Sequence, residues 1–371
     1  MRICISVTND IFTDQRVNRT VHSLVRAGHA VKVVGRKRRP YPAVTGYPCP
    51  VKRFCLLFKR GPLFYAEYNI RLFLFLLFTK QDAFLACDLD TLSASYLVSR
   101  IRGIPLIYDS HEYFTEVPEL VGRPAVKKIW EGIEKRILPH IRFAYTVSQS
   151  IAEAYKAKYG IPMEVIFNYP SRKKSLIQPR FSLRKEQEKI ILYQGSVNTG
   201  RGLALAIAAM KFIPGSRLVI IGEGDILEDL VEFTGNAGLS GSVTFTGRIS
   251  MDELHAFTQQ ADVGISLEED LGLNYRFALP NKLFDYIQAG IPVLVSDLPE
   301  MAALVRKYAI GKVIRTSDPS ELASCISSML NNAADRERWK QNLLIASEAL
   351  CWEKEEGKLL DIFQRAVNGR P

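Results

Sequence analysis

The order of apolar and polar positions at the start of the chain predicts a strand, a helix and a second strand. Residues 2–7 form an apolar run, and within residues 14–27 the apolar side chains recur near helical spacing. Gly28 ends that helix, and a second apolar run follows at residues 30–34. A helix between two short strands predicts a βαβ unit and hence a parallel sheet.

The same alternation recurs through both halves of the chain. Further strands are predicted at residues 82–92, 104–108, 145–148, 165–168, 190–193, 217–221, 243–246, 261–266, 293–295 and 312–314. Beyond residue 314 the pattern is helical, with Trp339 and Trp352 as large apolar anchors. The fold class predicted from this pattern is α/β.

A polar, basic segment at residues 171–189 separates the two halves and has the composition of an interdomain linker. A chain of 371 residues is also too long for one ordinary core. We therefore predict a first domain at residues 1–175 and a second at residues 186–345, followed by a C-terminal segment at 346–371.

The composition, 47% hydrophobic and 24% charged, is that of a globular protein outside the membrane. The six cysteines show no paired spacing, and with five scattered histidines they give no metal signature. We expect reduced thiols, no metal, and a cytoplasmic protein. The chain enters its first strand at once, so no signal peptide is expected.

Positive charge is concentrated in the first half. Residues 1–185 contain 31 Lys and Arg against 14 Asp and Glu, although the whole chain carries only +10. Such a field favours anionic partners, which include anionic lipid, phosphorylated substrates and nucleic acid. Because no helix-turn-helix, RNP or zinc pattern accompanies the charge, nucleic acid is not expected as a partner.

Basic and apolar residues are interleaved after a run of four cations at residues 36–39. A fully apolar stretch at residues 72–78 is far shorter than the ~20 residues of a bilayer span. The expected structure is a helix that faces the core and has basic flanks. The alternative is a basic, apolar surface that rests on the inner face of an anionic membrane.

Residues 277–297 combine a helix start with a buried strand. Pro280 suits the first position of a short helix at residues 281–289, and Gly290 suits its C-terminal end. The free N–H groups of such a helix start attract an anion, as would Lys282.

Asp285 lies one turn beyond Asn281 on the same face of that helix. This pattern suits a diphosphate beside Lys282 and sugar hydroxyls beside Asp285. The alternative is a helix capped against a sheet with a solvated Lys and Asp, and on this stretch alone we favour it because charged residues are mostly exposed.

A glycine-rich turn at residues 195–202 follows another predicted strand. Gly195, Gly202 and Arg201 before a helix could cradle phosphate, although such turns are also common without a ligand. The neighbouring strands end similarly, at Gly222, Gly224, Gly247 and Arg248. All these turns should gather at one edge of a sheet.

His111 stands in a polar cluster directly after the strand at residues 104–108. Open α/β sheets place ligands at that end of a strand, where His111 could donate to a sugar hydroxyl or to a developing charge. The equally weighted alternative is a histidine satisfied by Asp109 or Glu112.

Taken together, these motifs resemble the family 4 (group 1) glycosyltransferases of the GT-B fold over nearly the whole chain. In the first half the resemblance rests on Asp14-Gln15-Arg16-Val17, Gly28-His29, Asp88-Leu89-Asp90-Thr91-Leu92 and Tyr108-Asp109-Ser110-His111-Glu112-Tyr113. In the second half it rests on Tyr193-Gln194-Gly195, Arg201-Gly202-Leu203, Gly222-Glu223-Gly224 and Pro280-Asn281-Lys282-Leu283-Phe284-Asp285-Tyr286.

The resemblance implies two Rossmann-like domains facing across a cleft, with a nucleotide-sugar donor on the second and an acceptor on the first. It also implies a retaining hexosyltransferase that needs no metal or other cofactor, and a terminal helix around Trp352 that returns to the first domain. The acceptor would be lipid-linked or a saccharide, in cell-surface polysaccharide synthesis.

The resemblance also assigns roles to single residues. Arg201 and Lys282 would hold the diphosphate, and His111 would contact the donor sugar near the reacting carbon. Asp285 stands where the family usually has Glu and would contact the ribose. Gly247 and Arg248 would border the base. The remaining donor-site residues implied are Gly195, Gly202, Gly222, Asn274, Pro280 and Asn281.

The chain departs from the family pattern at two positions. Phe277 replaces the first Glu of the E-x7-E motif, and Glu268, Glu269 or Asn274 could take over its contact with the donor sugar. Ser196 replaces a common Arg. These departures favour one alternative to a transferase, a non-catalytic scaffold subunit of the same fold. A further alternative is a sugar-nucleotide epimerase on a related fold.

Overall fold

The chain folds into two compact units. Unit 1 comprises Met1–Asn168 and the chain from Glu355 onward, and unit 2 comprises Tyr169–Lys354. This computed structural model describes residues 1–9, 11, 14–37, 47–120, 122–172, 179–184 and 187–369. Parts of the predicted cationic run (38–39) and of the predicted linker (173–178 and 185–186) lie outside the described residues.

Unit 1 is built on a parallel sheet of seven strands. The strands are β1 (Arg2–Ser6), β2 (Ala30–Arg36), β3 (Val51–Phe54), β4 (Ala83–Cys87), β5 (Leu106–Ser110), β6 (Phe143–Thr146) and β7 (Glu164–Val165). Their order in the sheet is β3-β2-β1-β4-β5-β6-β7. The order reverses between β1 and β4, and open α/β sheets bind ligands at such a switch point.

Helices connect these strands. They are α1 (Gln15–Arg26), α2 (Gly61–Phe78), α3 (Leu89–Arg102), α4 (Pro124–Ile137) and α5 (Gln149–Tyr159). Asp14 caps α1 by accepting a 3.0 Å hydrogen bond from the N–H of Val17. The helix ends before Gly28, whose positive φ of 81° suits glycine. The predicted βαβ opening is therefore confirmed.

Helix α2 is longer than the apolar stretch predicted at residues 72–78. Its buried residues are spaced four positions apart, namely Phe64, Tyr68, Leu72 and Leu76. The expected core-facing helix is thus confirmed for one side. The other side is also apolar and is exposed, which the expectation did not include.

Unit 2 has a second parallel sheet, of six strands. The strands are β8 (Lys189–Gln194), β9 (Ser216–Ile221), β10 (Val243–Gly247), β11 (Val263–Ser266), β12 (Val293–Ser296) and β13 (Gly311–Ile314). Their order is β10-β9-β8-β11-β12-β13, which repeats the arrangement in unit 1. The switch point here lies between β8 and β11.

The remaining helices complete unit 2 and the end of the chain. They are α6 (Leu203–Ala209), α7 (Leu227–Asn236), α8 (Met251–Thr258), α9 (Leu273–Arg276), α10 (Asn281–Ala289), α11 (Pro299–Tyr308), α12 (Pro319–Asn331), α13 (Ala333–Ala349) and α14 (Trp352–Asn368). Trp339 and Trp352 are each 2% exposed, in agreement with their predicted anchoring role. In the described part of the chain, none of the helices combines the length and apolar character needed to cross a bilayer.

Candidate active site

The candidate site in unit 2 lies at the switch point of its sheet. The turn after β8 carries Arg201, and the segment after the neighbouring strand β11 carries Glu268. Helix α10 brings Lys282 to the same place. Side chains from three separated segments therefore meet where an α/β sheet most often binds a ligand.

Two cations converge on one carboxylate oxygen. The Nζ atom of Lys282 lies 2.6 Å from Oε1 of Glu268, and an Nη1 atom of Arg201 lies 3.5 Å from the same oxygen. The other oxygen of Glu268 accepts a 2.6 Å hydrogen bond from the hydroxyl of Ser266. The side chain of Glu268 is fully buried, whereas that of Arg201 is 26% exposed. The site is therefore closed on the glutamate side and open on the arginine side.

Aromatic rings support both cations. The Lys282 ammonium lies 4.2 Å from the centre of the Tyr193 ring, and the Arg201 guanidinium lies 5.2 Å from the centre of the Tyr275 ring. Both tyrosine hydroxyls donate to backbone carbonyls of the glycine-rich turn, those of Ser196 and Thr199. These bonds fix the turn against the charged side chains.

The charge state of the cluster follows from burial and pairing. Burial alone would raise the pKa of Glu268, but Lys282, Ser266 and Arg201 outweigh it and lower that pKa. Burial lowers the pKa of Lys282, and the Glu268 carboxylate opposes that shift. Glu268 is therefore an anion that holds two cations together.

Helix α10 begins and ends as the sequence predicts. It spans Asn281–Ala289, and Gly290 follows with a positive φ of 74°. Pro280 lies one position earlier than expected, at the N-cap instead of the first helical position. The interpretation with a solvated lysine is wrong, because Lys282 is only 7% exposed and points to Glu268.

The predicted glycines allow strand ends to approach closely. A Cβ atom on Gly222 would lie 1.8 Å from the carbonyl oxygen of Gly195, and one on Gly202 would lie 2.3 Å from that of Leu267. The N–H of Gly222 donates to the carbonyl of Gly247 over 3.0 Å. The turns thus gather at one edge of the sheet, as predicted.

The other predicted donor-site residues lie around this edge. Asp285 is half-buried and accepts a 3.0 Å hydrogen bond from the side chain of Gln194, the last residue of β8. Asn274 is half-buried in the short helix α9, and Arg248 is exposed directly after β10. Of the three residues considered in place of the missing Glu, Glu268 contacts Lys282 and Arg201.

A second polar cluster occupies the corresponding edge of unit 1. The ring of His111 lies between two carboxylates, with Nδ1 at 3.3 Å from Asp88 and Nε2 at 3.1 Å from Asp109. Arg16 pairs with Asp109 at 2.7 Å, and both side chains are almost completely buried. The predicted contact of His111 with Asp109 is confirmed, and its second partner is Asp88.

Asp88 is held in an unusual backbone conformation. Its φ of 61° lies in a region that residues other than glycine seldom adopt. One carboxylate oxygen accepts the backbone N–H of His111 over 2.8 Å, while its own N–H donates to the carbonyl of Asp109. Strained residues of this kind concentrate at functional sites.

The charged groups of this cluster shift one another's pKa values. Burial would lower the pKa of His111, but Asp88 and Asp109 raise it well above its usual value, so the ring is a cation. Burial raises the pKa of Asp88, and the charged His111 ring opposes that shift. Ligand-type atoms of Cys87, Asp109 and His111 lie within 4.8 Å of one another, but Arg16 already neutralises Asp109, which disfavours a metal cation there.

Sequence reasoning missed the central position of Glu268 and the contact with Ser266. It named Glu268 only as one of three candidates to replace the missing Glu, and its only signal for Ser266 was a place at the carboxyl end of a predicted strand. It also treated Asp88 only as part of a motif, because the contact with His111 depends on the pairing of β4 with β5.

Two family descriptions match this chain. "Glycosyltransferase Family 4" matches residues 15–169, and "Glycosyl transferases group 1" matches residues 176–343. The first match lies within unit 1 except for its last residue, 169, which is the first residue of unit 2, and the second match lies within unit 2.

Proteins of similar sequence carry related names. The alpha-D-kanosaminyltransferase of Streptomyces kanamyceticus is 21% identical over 67% of each chain. Sulfoquinovosyl transferase SQD2 of Arabidopsis thaliana is 24% identical over 65% of this chain and 47% of its own. A GDP-mannose-dependent alpha-(1-6)-phosphatidylinositol monomannoside mannosyltransferase of Mycobacterium tuberculosis is 28% identical over 34% of this chain and 32% of its own. The alignments thus span about two thirds of the first relative and half or less of the other two.

Solved structures share the fold. Sucrose-phosphate synthase from Thermosynechococcus elongatus has a TM-score of 0.80 at 18% identity, over 99% of both chains. Anabaena HepE in complex with UDP-glucose has a TM-score of 0.76 at 14% identity, over 98% of this chain and 99% of that one. At these identities the likeness shows the fold alone.

Proposed function

The chain belongs to the family 4, group 1 glycosyltransferases and has the GT-B fold of two Rossmann-like domains, and we propose that it moves a sugar from a nucleoside-diphosphate donor to a lipid-linked or saccharide acceptor. The observation that carries the proposal is the convergence of Lys282 and Arg201 on Glu268 beside the start of α10. The reaction proposed is a retaining hexosyl transfer in cell-surface polysaccharide synthesis.

The chemistry of the site supports a diphosphate leaving group. Transfer breaks the bond between the anomeric carbon and a phosphate oxygen, and negative charge grows on the diphosphate. Lys282 and Arg201 are fixed beside the positive end of the α10 dipole before that charge develops, so they stabilise it without reorganisation. We propose that these groups supply the charge compensation without a metal ion.

Other residues of unit 2 are proposed to hold the rest of the donor. We propose that Asp285, which accepts a hydrogen bond from Gln194, also accepts hydrogen bonds from ribose hydroxyls. Gly247 and Arg248 border the proposed base site. HepE was solved with UDP-glucose, and the Mycobacterium tuberculosis relative is named as GDP-mannose-dependent, which supports a nucleotide-sugar as the donor class.

We assign the acceptor to unit 1 and propose that His111 acts on the transferred sugar. Its ring is held as a cation between Asp88 and Asp109. A positive charge in a fixed position can stabilise charge that develops in the transition state. The role proposed for His111 comes from the resemblance to the family. The contacts with Asp88 and Asp109 hold its ring in place and keep it charged.

The exposed sides of α2, α3 and α4 support an acceptor presented at a membrane. Helix α2 packs on α3, and α3 packs on α4. Their exposed apolar residues, here called the α2–α4 surface, are Leu63, Ile70, Leu74, Phe78, Leu97, Ile101 and Ile129. Soluble surfaces rarely expose so many large apolar side chains on neighbouring helices.

Charge complementarity supports an anionic membrane as the proposed occupant of the α2–α4 surface. The exposed cations in and beside it are Lys59, Arg60, Lys80, Arg100, Arg123, Lys128, Lys135 and Arg136. Among the described residues 57–80, 97–102 and 122–136, the acidic residues are Glu67, Glu131 and Glu134. Glu67 and Glu131 are paired with cations and Glu134 is buried. Apolar side chains rimmed by unopposed cations suit an anionic bilayer face, where each cation contributes about 1 kcal/mol.

A ligand panel tests the proposed reaction. Thermal unfolding with UDP-, GDP-, ADP- and CDP-sugars should identify one donor class that stabilises the folded chain, by about 2.7 kcal/mol at 100 times its Kd. Incubation of that donor with lipid and saccharide acceptors should then form glycoside with the anomeric configuration retained. A chain that binds the donor but never transfers its sugar would favour the scaffold alternative. Conversion of the donor without any acceptor would favour the epimerase alternative.

A further inference from the structure

We propose that Glu268 competes with the diphosphate for Lys282 and Arg201, and so speeds release of the nucleoside-diphosphate product. The inference rests on the proposed function, because it assigns the diphosphate to these two cations. It adds a role for Glu268, which contacts Lys282 and Arg201 from the buried side of the site.

The Glu268 carboxylate contacts the same two cations that are proposed to bind the diphosphate. One oxygen of Glu268 receives both Lys282 and Arg201, at 2.6 and 3.5 Å. Its other oxygen is held by Ser266, so the carboxylate cannot turn away freely. The N–H of Glu269 donates to the carbonyl of Gly200 over 2.9 Å, which ties the segment to the glycine-rich turn. Glu268 is therefore fixed, whereas Arg201 keeps an exposed side.

The charge balance makes this carboxylate unfavourable for a bound diphosphate. Two cations and one carboxylate leave a single positive charge in the cluster. A sugar diphosphate brings two negative charges, so Glu268 becomes a like-charged neighbour of the ligand. Both anions then share the hydrogen-bond donors of Lys282 and Arg201. In a buried site such repulsion is weakly screened.

The repulsion should act more strongly on the product than on the donor. Breaking the bond to the sugar leaves a terminal phosphate that gains negative charge at neutral pH. The carboxylate of Glu268 is the same in both states, so its Coulombic penalty rises when transfer is complete. It therefore discriminates against the product, and the contacts of Lys282 and Arg201 with Glu268 replace those that the two cations lose when the product leaves.

A substitution that removes the charge and keeps the shape isolates this effect. In Glu268→Gln the amide oxygen can still accept from Ser266, and the side-chain volume is unchanged. Glu232→Gln is the control, because Glu232 is exposed on α7 of the same unit and is not among the proposed donor-site residues. Thermal unfolding of each variant shows whether it is folded. If Glu268→Gln is unstable, Glu268→Asp keeps the charge but shortens its reach, and should tighten binding by a smaller factor.

The experiment measures binding and release of UDP, GDP, ADP and CDP by the full chain, using calorimetry and stopped-flow displacement. For the nucleotide that binds wild type best, Glu268→Gln should bind about tenfold tighter and release it about tenfold more slowly. The affinity for the corresponding nucleotide-sugar should rise by a smaller factor, and Glu232→Gln should match wild type. Equal or weaker binding of the diphosphate by folded Glu268→Gln, or by Glu268→Asp where that variant replaces it, would overturn the inference while leaving the proposed function intact. Failure of wild type to bind any of the four nucleotides would overturn both.

Discussion

The Lys282 ammonium lies 2.6 Å from Oε1 of Glu268, in a place where neither side chain is more than 7% exposed. A lysine in such a position is neither a solvated surface charge nor a simple structural ion pair. Arg201 shares the same oxygen, so one anion holds two cations at the switch point of the sheet. This arrangement keeps positive charge concentrated at the start of α10, where an anionic ligand gains most from it.

The buried pair of Arg16 and Asp109 predicts a pH-dependent loss of stability. Asp109→Asn leaves the Arg16 guanidinium buried without its counter-charge, and should lower the free energy of unfolding at pH 7 by about 3–5 kcal/mol. Burial would raise the pKa of Asp109, but Arg16 and His111 outweigh it and lower the folded-state pKa below the ordinary value of 3.8. The stabilisation is therefore complete above pH 3.8 and is lost as the pH falls through the folded-state pKa.

Urea unfolding of unit 1 between pH 7 and pH 3 measures this effect. The difference between wild type and Asp109→Asn should shrink only below about pH 4. Asp270→Asn, which breaks the exposed pair with Arg276, is the control and should change stability by less than about 1 kcal/mol. An equal effect of the two substitutions at pH 7 would rule out the buried pair as a major source of stability.

Gly222 should tolerate no side chain. A Cβ atom there would lie 1.8 Å from the carbonyl oxygen of Gly195, so Gly222→Ala must separate the ends of β8 and β9. We expect a loss of about 2–4 kcal/mol from overpacking and weaker nucleotide binding. Gly235→Ala, in α7 with open space at its Cβ, should raise stability by up to ~1 kcal/mol. Unfolding curves of both variants measure these changes in the free energy of unfolding. An unchanged value for Gly222→Ala would contradict the described packing.

The α2–α4 surface should bind anionic vesicles. Sedimentation with neutral phosphatidylcholine vesicles and with vesicles containing phosphatidylglycerol should show binding only to the anionic ones, weakening as salt is raised. The double variant Leu74→Glu with Phe78→Glu should abolish it, because it places charge on the exposed apolar side of α2. Ile345→Glu, on an equally exposed apolar position of α13 in unit 2, should bind like wild type.

Two results would contradict the membrane assignment. Equal binding to both kinds of vesicle would remove the electrostatic part of the argument. A change in oligomeric state of the double variant, without vesicle binding by wild type, would instead assign the surface to a second copy of the chain.

The architecture could be read from the sequence because glycine and proline mark the ends of its elements. Helix α10 covers the residues that were predicted, since Gly290 and Pro292 stop it for local steric reasons. Helix α2 was less predictable, because an apolar run does not say how much of it faces the core. Its burial depends on the neighbouring helix α3, which is a tertiary contact.

Part of the site could also be predicted from local sequence motifs. Arg201 and Lys282 could be selected from local motifs, and the structure brings them together. The burial of Lys282 could not be predicted from the sequence, because lysines are mostly exposed. Its partner Glu268 follows β11 and comes into contact with it only in the folded chain. Glu268 and Asp88 gain their partners only when parallel strands are paired, which no local pattern encodes.

Calorimetric titration of the preferred nucleoside diphosphate tests the central claim most directly. Lys282→Ala and Arg201→Ala should each weaken binding by roughly 10- to 100-fold, the loss expected for a hydrogen bond to a charged group. Lys307→Ala, an exposed cation on α11 of the same unit, should bind like wild type. Unchanged binding in both site variants, with folding intact, would contradict the assignment of the diphosphate to this pair of cations.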